Sequence, residues 1–211
     1  MQLCLDFVKN KKEELYIFPF KKQVYNKTII GISGVDHGVG VTCICLALSN
    51  FLCSKLGRKT AYVEFNTTNQ IYSLSHGWNR KMFTYMGIDF FPCASITSLT
   101  EILNRNYDFY ILDMGVINTY AAIELAKCYK QFLVCSLSKW KRHQTEDKIN
   151  ELFQQTHLSQ ERVTILANLQ TKKSISFPGF KYRISIPFIS NPFQLEPDLF
   201  RVFHHMLGRK N

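Results

Sequence analysis

The segment TIIGISGVDHGVGVTCICLALSNFLCSKLGRKTAYVEFN, Thr28 to Asn66, decides the fold. It opens on an apolar run, Thr28 to Ser33, and turns through glycines between Gly34 and Gly40. A Thr-initiated apolar segment follows, Thr42 to Leu56, closed by Gly57, and a second apolar run spans Thr60 to Phe65. The order strand, loop, helix, strand predicts the βαβ unit of a parallel sheet. Its loop lies at a helix N-terminus, where free backbone N–H groups and the positive end of the helix dipole favour a phosphate.

Gly38 and Gly40 allow positive φ and a close approach of backbone to ligand. Thr42 places a hydroxyl where a phosphate-binding loop coordinates magnesium. The pattern G-x-x-x-x-G-K-[ST] is nevertheless unmet, because Val41 stands at the lysine and Val35 at the first glycine. The residue pattern leaves two readings open: a phosphate loop, or a glycine-rich turn without a ligand.

The segment resembles the deviant phosphate-loop proteins of the MinD/ParA family, which includes the CpaE/TadZ proteins of pilus assembly. Their loop reads K-G-G-x-G-K-[ST]. The matching residues here are Asp36-His37-Gly38-Val39-Gly40-Val41-Thr42. Both family lysines are replaced, by Asp36 and Val41, while the last two glycines and the threonine remain. Glu64-Phe65-Asn66 stands at the family's Asp-x-Asp, and YDFYILDMG, with Asp113, at its later strand ending in Asp. The resemblance runs from about Thr28 to the C-terminal region and rests on order and spacing more than on identity. It implies a three-layer αβα fold of the P-loop NTPase type, with a mainly parallel sheet. It also implies that Gly38, Val39, Gly40, Val41, Thr42 and Cys43 line a nucleotide site for ATP, and that Asn168 contacts the adenine. Thr42 and Asp113 would hold magnesium if nucleotide binds. For Asp113 a second reading is a cap on the turn that follows.

The whole chain sets outer bounds. Its 211 residues, 46% hydrophobic, suffice for one sizeable core. Residues 28–211 read as a single domain. Residues 1–27 read as an N-terminal arm or an edge strand, since Pro19 within ELYIFPF is tolerated at an edge. No run of 18 apolar residues occurs, so no membrane span is expected. The seven cysteines form no C-x-x-C pair and read as small buried hydrophobes of a reducing cytosol. The net charge of +10 would suit an acidic partner, yet its lysines and arginines are scattered as on a solvated surface. Nucleic acid therefore ranks last among partners. A protein partner is expected, a second copy of the chain among the candidates, at a membrane-associated machine reached from the cytoplasm.

Further along, MFTYMGIDFF, Met82 to Phe91, predicts two short strands or one bent strand about Gly87. Helices are predicted over Ser98–Asn106, Thr119–Lys127 and Lys141–His157, and strands over Asp108–Asp113, Gln131–Leu137, Arg162–Ala167 and Tyr182–Ile186. A last helix starts at Glu196 and Pro197, with Leu195, Leu199, Val202, Phe203 and Met206 forming one apolar stripe. That stripe is expected to pack on the domain, although its basic end would also suit an interfacial anchor.

The departures at the loop act together. Val41 offers no charge to a phosphate, Asp36 carries the wrong sign, and Asn66 cannot take a proton as a carboxylate does. His37 is a poor substitute for a lysine near neutral pH. No catalytic residue is assigned. The expected protein is a localisation or scaffold factor for a pilus or secretion assembly, with ATP and magnesium bound weakly or not at all. The alternative is a weak ATPase switching between monomer and dimer.

Overall fold

Continuous apolar runs alternate with helical segments, and burying both kinds of surface requires a sheet covered on two faces. The computed structural model describes residues 27–75, 81–136, 142–168, 180 and 182–208. Its strands are β1 (Thr28–Gly34), β2 (Thr60–Glu64), β3 (Phe83–Tyr85), β4 (Ile88–Phe91), β5 (Phe109–Val116), β6 (Lys130–Ser136), β7 (Val163–Asn168) and β8 (Arg183–Ile186). Its helices are α1 (Val41–Asn50), α2 (Ile96–Leu103), α3 (Thr119–Lys127), α4 (Arg142–Gln155) and α5 (Pro197–Gly208). The strands lie in the order β3-β4-β2-β5-β1-β6-β7-β8. The pair β3–β4 is antiparallel and the other neighbours are parallel. The expected three-layer, mainly parallel architecture is thus the one observed.

Two apolar layers flank the sheet. On one face Ile30, Ile32, Phe109 and Ile111 meet Ile44 and Leu48 of α1 and Leu199 and Phe203 of α5. On the other, Tyr110, Leu112, Leu133 and Ile165 meet Leu99 of α2, Leu125 of α3 and Ile149 of α4. Central β1 pairs with β5 on one side and β6 on the other, so sequence-adjacent crossovers diverge there. That divergence opens a crevice at the carboxyl ends of the strands, where sheets of this kind hold ligands.

Several boundaries differ from expectation. The helix predicted over Thr42–Leu56 is α-helical only from Val41 to Asn50 and continues as a π-helical turn, Phe51–Lys55. Phe51 and Leu52, the first residues of that turn, are both buried in the core. The helix expected from Ser98 begins at Ile96, because Ser95 caps it by accepting the Ser98 N–H at 3.2 Å. Between Met82 and Phe91 the two-strand alternative holds. Met86 (φ 49°) and Gly87 (φ 77°) make the tight turn, and Phe83 stacks on its cross-strand partner Phe90 at 5.1 Å. Not every cysteine is a buried hydrophobe: Cys45, Cys128 and Cys135 are buried, Cys43 and Cys53 are partly so, and Cys93 is exposed. Residues 1–26 of the expected arm, together with Leu137 and residues 138–141, lie outside the described residues.

The stripe of α5 is spent on the fold. Leu199, Phe203, Met206 and Leu207 are buried in the layer shared with α1, and Phe51 packs its ring 5.4 Å from that of Phe203. Among the described residues no helix is long and apolar enough to cross a membrane. Phe203→Ala should therefore cost about 3–5 kcal/mol of unfolding free energy, the usual range for emptying a buried phenylalanine site. Urea denaturation measures it, and a loss below about 1 kcal/mol would mean that α5 is not part of the core.

Candidate functional site

The loop between β1 and α1 sits in the crevice and is tied down on several sides. Val35 N–H donates to the Val134 carbonyl at 2.9 Å, and Ile117 N–H donates to the Gly34 carbonyl at 2.8 Å. From the end of β7, Asn168 Nδ2 donates to the Val39 carbonyl at 2.7 Å. Gly40 has φ 95°, and a Cβ there would lie 2.3 Å from Asn168 Nδ2, so both the conformation and the space demand glycine. Val39 and Val41 turn inward and are buried. Their Cγ2 methyls would each stand 2.7 Å from a Cβ on Gly34, which leaves that close approach to glycine alone.

At the loop's open side, Asp36 Oδ1 accepts the His37 N–H and Oδ2 accepts Lys148 Nζ, both at 2.9 Å. The loop itself has no lysine to offset Asp36. The compensating charge comes from α4, 112 residues further along the chain. Both side chains of this pair are more than a third exposed.

Beneath the loop lies Asp113, with no exposed surface. Its Oδ2 accepts the hydroxyls of Thr42 and Tyr62, each at 2.6 Å. Its Oδ1 accepts Asn66 Nδ2 at 3.1 Å and the Gly115 N–H at 3.0 Å. Asn66 Nδ2 also lies 3.0 Å from the Asp113 carbonyl. Four donors thus serve the two carboxylate oxygens, which is the full acceptor capacity of the group. Burial, and then the neighbouring Asp113, push the Tyr62 phenol well above its ordinary value, so Tyr62 keeps its proton and acts as a donor.

Glu64, at the end of β2, is a second buried carboxylate. Oε1 accepts the N–H groups of Gln70 (2.8 Å) and Ile71 (3.5 Å), and Oε2 accepts that of Cys93 (3.3 Å). Burial raises it above the usual carboxylate range, while those N–H groups pull it back. It braces the loop after β2 against the one after β4.

The residues singled out in the sequence converge. Gly38, Val39, Gly40, Val41, Thr42 and Cys43 form the loop and the first turn of α1, and Asp113 and Asn168 approach from β5 and β7. Asn168 spends its amide nitrogen on the loop backbone, and the Cys43 thiol faces the Ile189 carbonyl at 3.9 Å. Two participants escaped the sequence reading. Tyr62 sits in the apolar run TAYVE and looks like any core aromatic; Lys148 has no local signal tying it to a loop so distant.

The site thus consists of a glycine loop at the carboxyl end of the central strand, with a strand-end acid below it. No family model and no curated protein sequence matches the chain. Solved structures do. A plasmid partition protein of Borrelia burgdorferi bound to AMPPNP superposes with a TM-score of 0.60 at 17% identity, covering 86% of this chain and 97% of that one. The septum site-determining protein MinD of Pyrococcus horikoshii, complexed with Mg-ADP, gives 0.53 at 14% identity over 76% of this chain and 82% of that one. Cobyrinic acid a,c-diamide synthase of Mycobacterium smegmatis, with bound ADP and magnesium, gives 0.54 at 13% identity over 88% and 98%. At such identities the likeness establishes the fold.

Tyr62→Phe removes one of the four donors to Asp113. It should cost about 1.5–3 kcal/mol, as expected for a hydrogen bond to a carboxylate. Urea denaturation of both proteins checks this, and a difference under about 0.5 kcal/mol would show that the phenol contributes nothing to the network.

Proposed function

We propose that this chain is a ParA/MinD-like P-loop protein that does not hydrolyse ATP and works as a localisation or scaffold factor. The observation that carries the reading is the closed set of donors around Asp113, joined to a loop without a lysine. Thr42 and Asp113 are oxygen donors of the kind magnesium, a hard cation, prefers, but both Asp113 oxygens are taken by donors of the chain. The phosphate side does not suit a magnesium triphosphate. Val41 brings methyl groups over Gly34 where the fold's loop lysine would bring an amine, and Asp36 holds the His37 N–H with its own carboxylate. Asn66, at the position of an acid that would position or activate water, donates to Asp113 instead. An aspartate there would set two carboxylates about as close as the present 3.1 Å contact.

The nucleotides named for the matched structures belong to those proteins, and for this chain they support at most weak binding through backbone N–H groups. The retained Thr42–Asp113 contact at 2.6 Å favours the second reading, a weak ATPase alternating between monomer and dimer. The resemblance to CpaE/TadZ proteins supports a pilus or secretion assembly as the machine served, with a protein as the partner.

A phosphate-release assay with ATP and magnesium tests the first reading against the second. The unaltered chain should release phosphate no faster than buffer alone, and calorimetry should give a dissociation constant weaker than about 1 mM, on the order of 4 kcal/mol of binding. Steady, magnesium-dependent release with micromolar affinity would reject the non-hydrolysing reading in favour of the ATPase.

A further inference from the structure

We infer that the loop carries its own anion: the Asp36 carboxylate takes, from within the chain, the donors that a phosphate-type oxyanion would need, and Lys148 is the cation it holds. This deepens the non-hydrolysing reading and rests on it. One carboxylate oxygen accepts a loop amide, that of His37, at 2.9 Å. The other accepts an ammonium, Lys148 Nζ, at the same distance. A backbone N–H and a lysine are the two kinds of donor with which glycine loops hold phosphate. Here both are met by a group that is covalently part of the loop.

The lysine missing from the loop is therefore supplied in space by α4, but committed to an internal competitor. The pair is accessible, with side chains 40% (Lys148) and 37% (Asp36) exposed, so the contact is weak enough to exchange. Its geometry makes an autoinhibitory contact. While Asp36 keeps Lys148, an incoming oxyanion meets a negative charge. With Asp36 neutralised, the same lysine and the same amide face the oxyanion.

Pyrophosphate, titrated calorimetrically into the full chain and its variants, is the test. Asp36→Asn should bind it about tenfold more tightly than the unaltered chain, from a like charge removed and a lysine released. The double variant Asp36→Asn, Lys148→Met should lose most of that gain. Asp36→Ala gives a second route should the asparagine form fold poorly, and circular dichroism verifies each variant. No gain in either Asp36 variant overturns the inference, and so does a double variant that keeps the full gain. ATP turnover is not part of this readout. A failure here leaves the non-hydrolysing reading intact, and turnover by the unaltered chain would reject that reading however the variants bind.

Discussion

A carboxylate shut off from water must have its oxygens satisfied by the protein, because burying charge without partners is among the costliest arrangements a fold can contain. Asp113 meets that demand with Thr42, Tyr62, Asn66 and Gly115. These donors come from the first turn of α1, from β2, from the loop after β2 and from β5 itself. The contact therefore joins the βαβ unit to the strand beside it. It also fixes the floor beneath the glycine loop, whose roof is held by Asn168 and whose flank is held by Lys148. Removing a donor leaves an acceptor stranded in a place water does not reach.

The same interaction accounts for the character of the site. At three positions where the resembled family carries two lysines and an acid, this chain has Val41, Asp36 and Asn66, and the contacts of all three lie within the chain. Val41 packs with Val39 over Gly34, Asp36 pairs with α4, and Asn66 secures Asp113. Each substitution alone would be a local change. All three sets of contacts lie within the chain, which supports a loop kept as structure and as a surface.

Much of the fold was legible in the sequence because its signals are local. Runs such as IIGI and FYIL are apolar throughout, as strands covered on both faces must be, and Gly38 and Gly40 sit where positive φ is needed. The loop residues and Thr42 could be named from spacing, Asp113 from its place at a strand end, and Asn168 only from the family resemblance, and they do converge. What could not be read depends on tertiary contact. Lys148 looks like one more charge on a mixed helix face until α4 is laid beside the loop. Tyr62 gives no hint of its hydroxyl's partner, since a buried tyrosine and a phenylalanine suit a strand equally. The π-helical turn at Phe51, whose ring packs on Phe203 of α5, is announced by no helical periodicity. The start of α2 was missed for a different reason: two serines, Ser95 and Ser98, compete as caps, and backbone geometry selects the first.

Thermal unfolding with and without ATP and magnesium, at constant ionic strength, tests most directly whether the site is complete in itself. A self-satisfied network has little to gain from the ligand, so the melting temperature should stay within about 1 °C at millimolar ATP and magnesium. A ligand present at about a hundred times its dissociation constant would add about 2.7 kcal/mol, or roughly 5–10 °C for a chain of this size. A magnesium-dependent rise of that order would contradict the claim that the chain's own donors complete the Asp113 site.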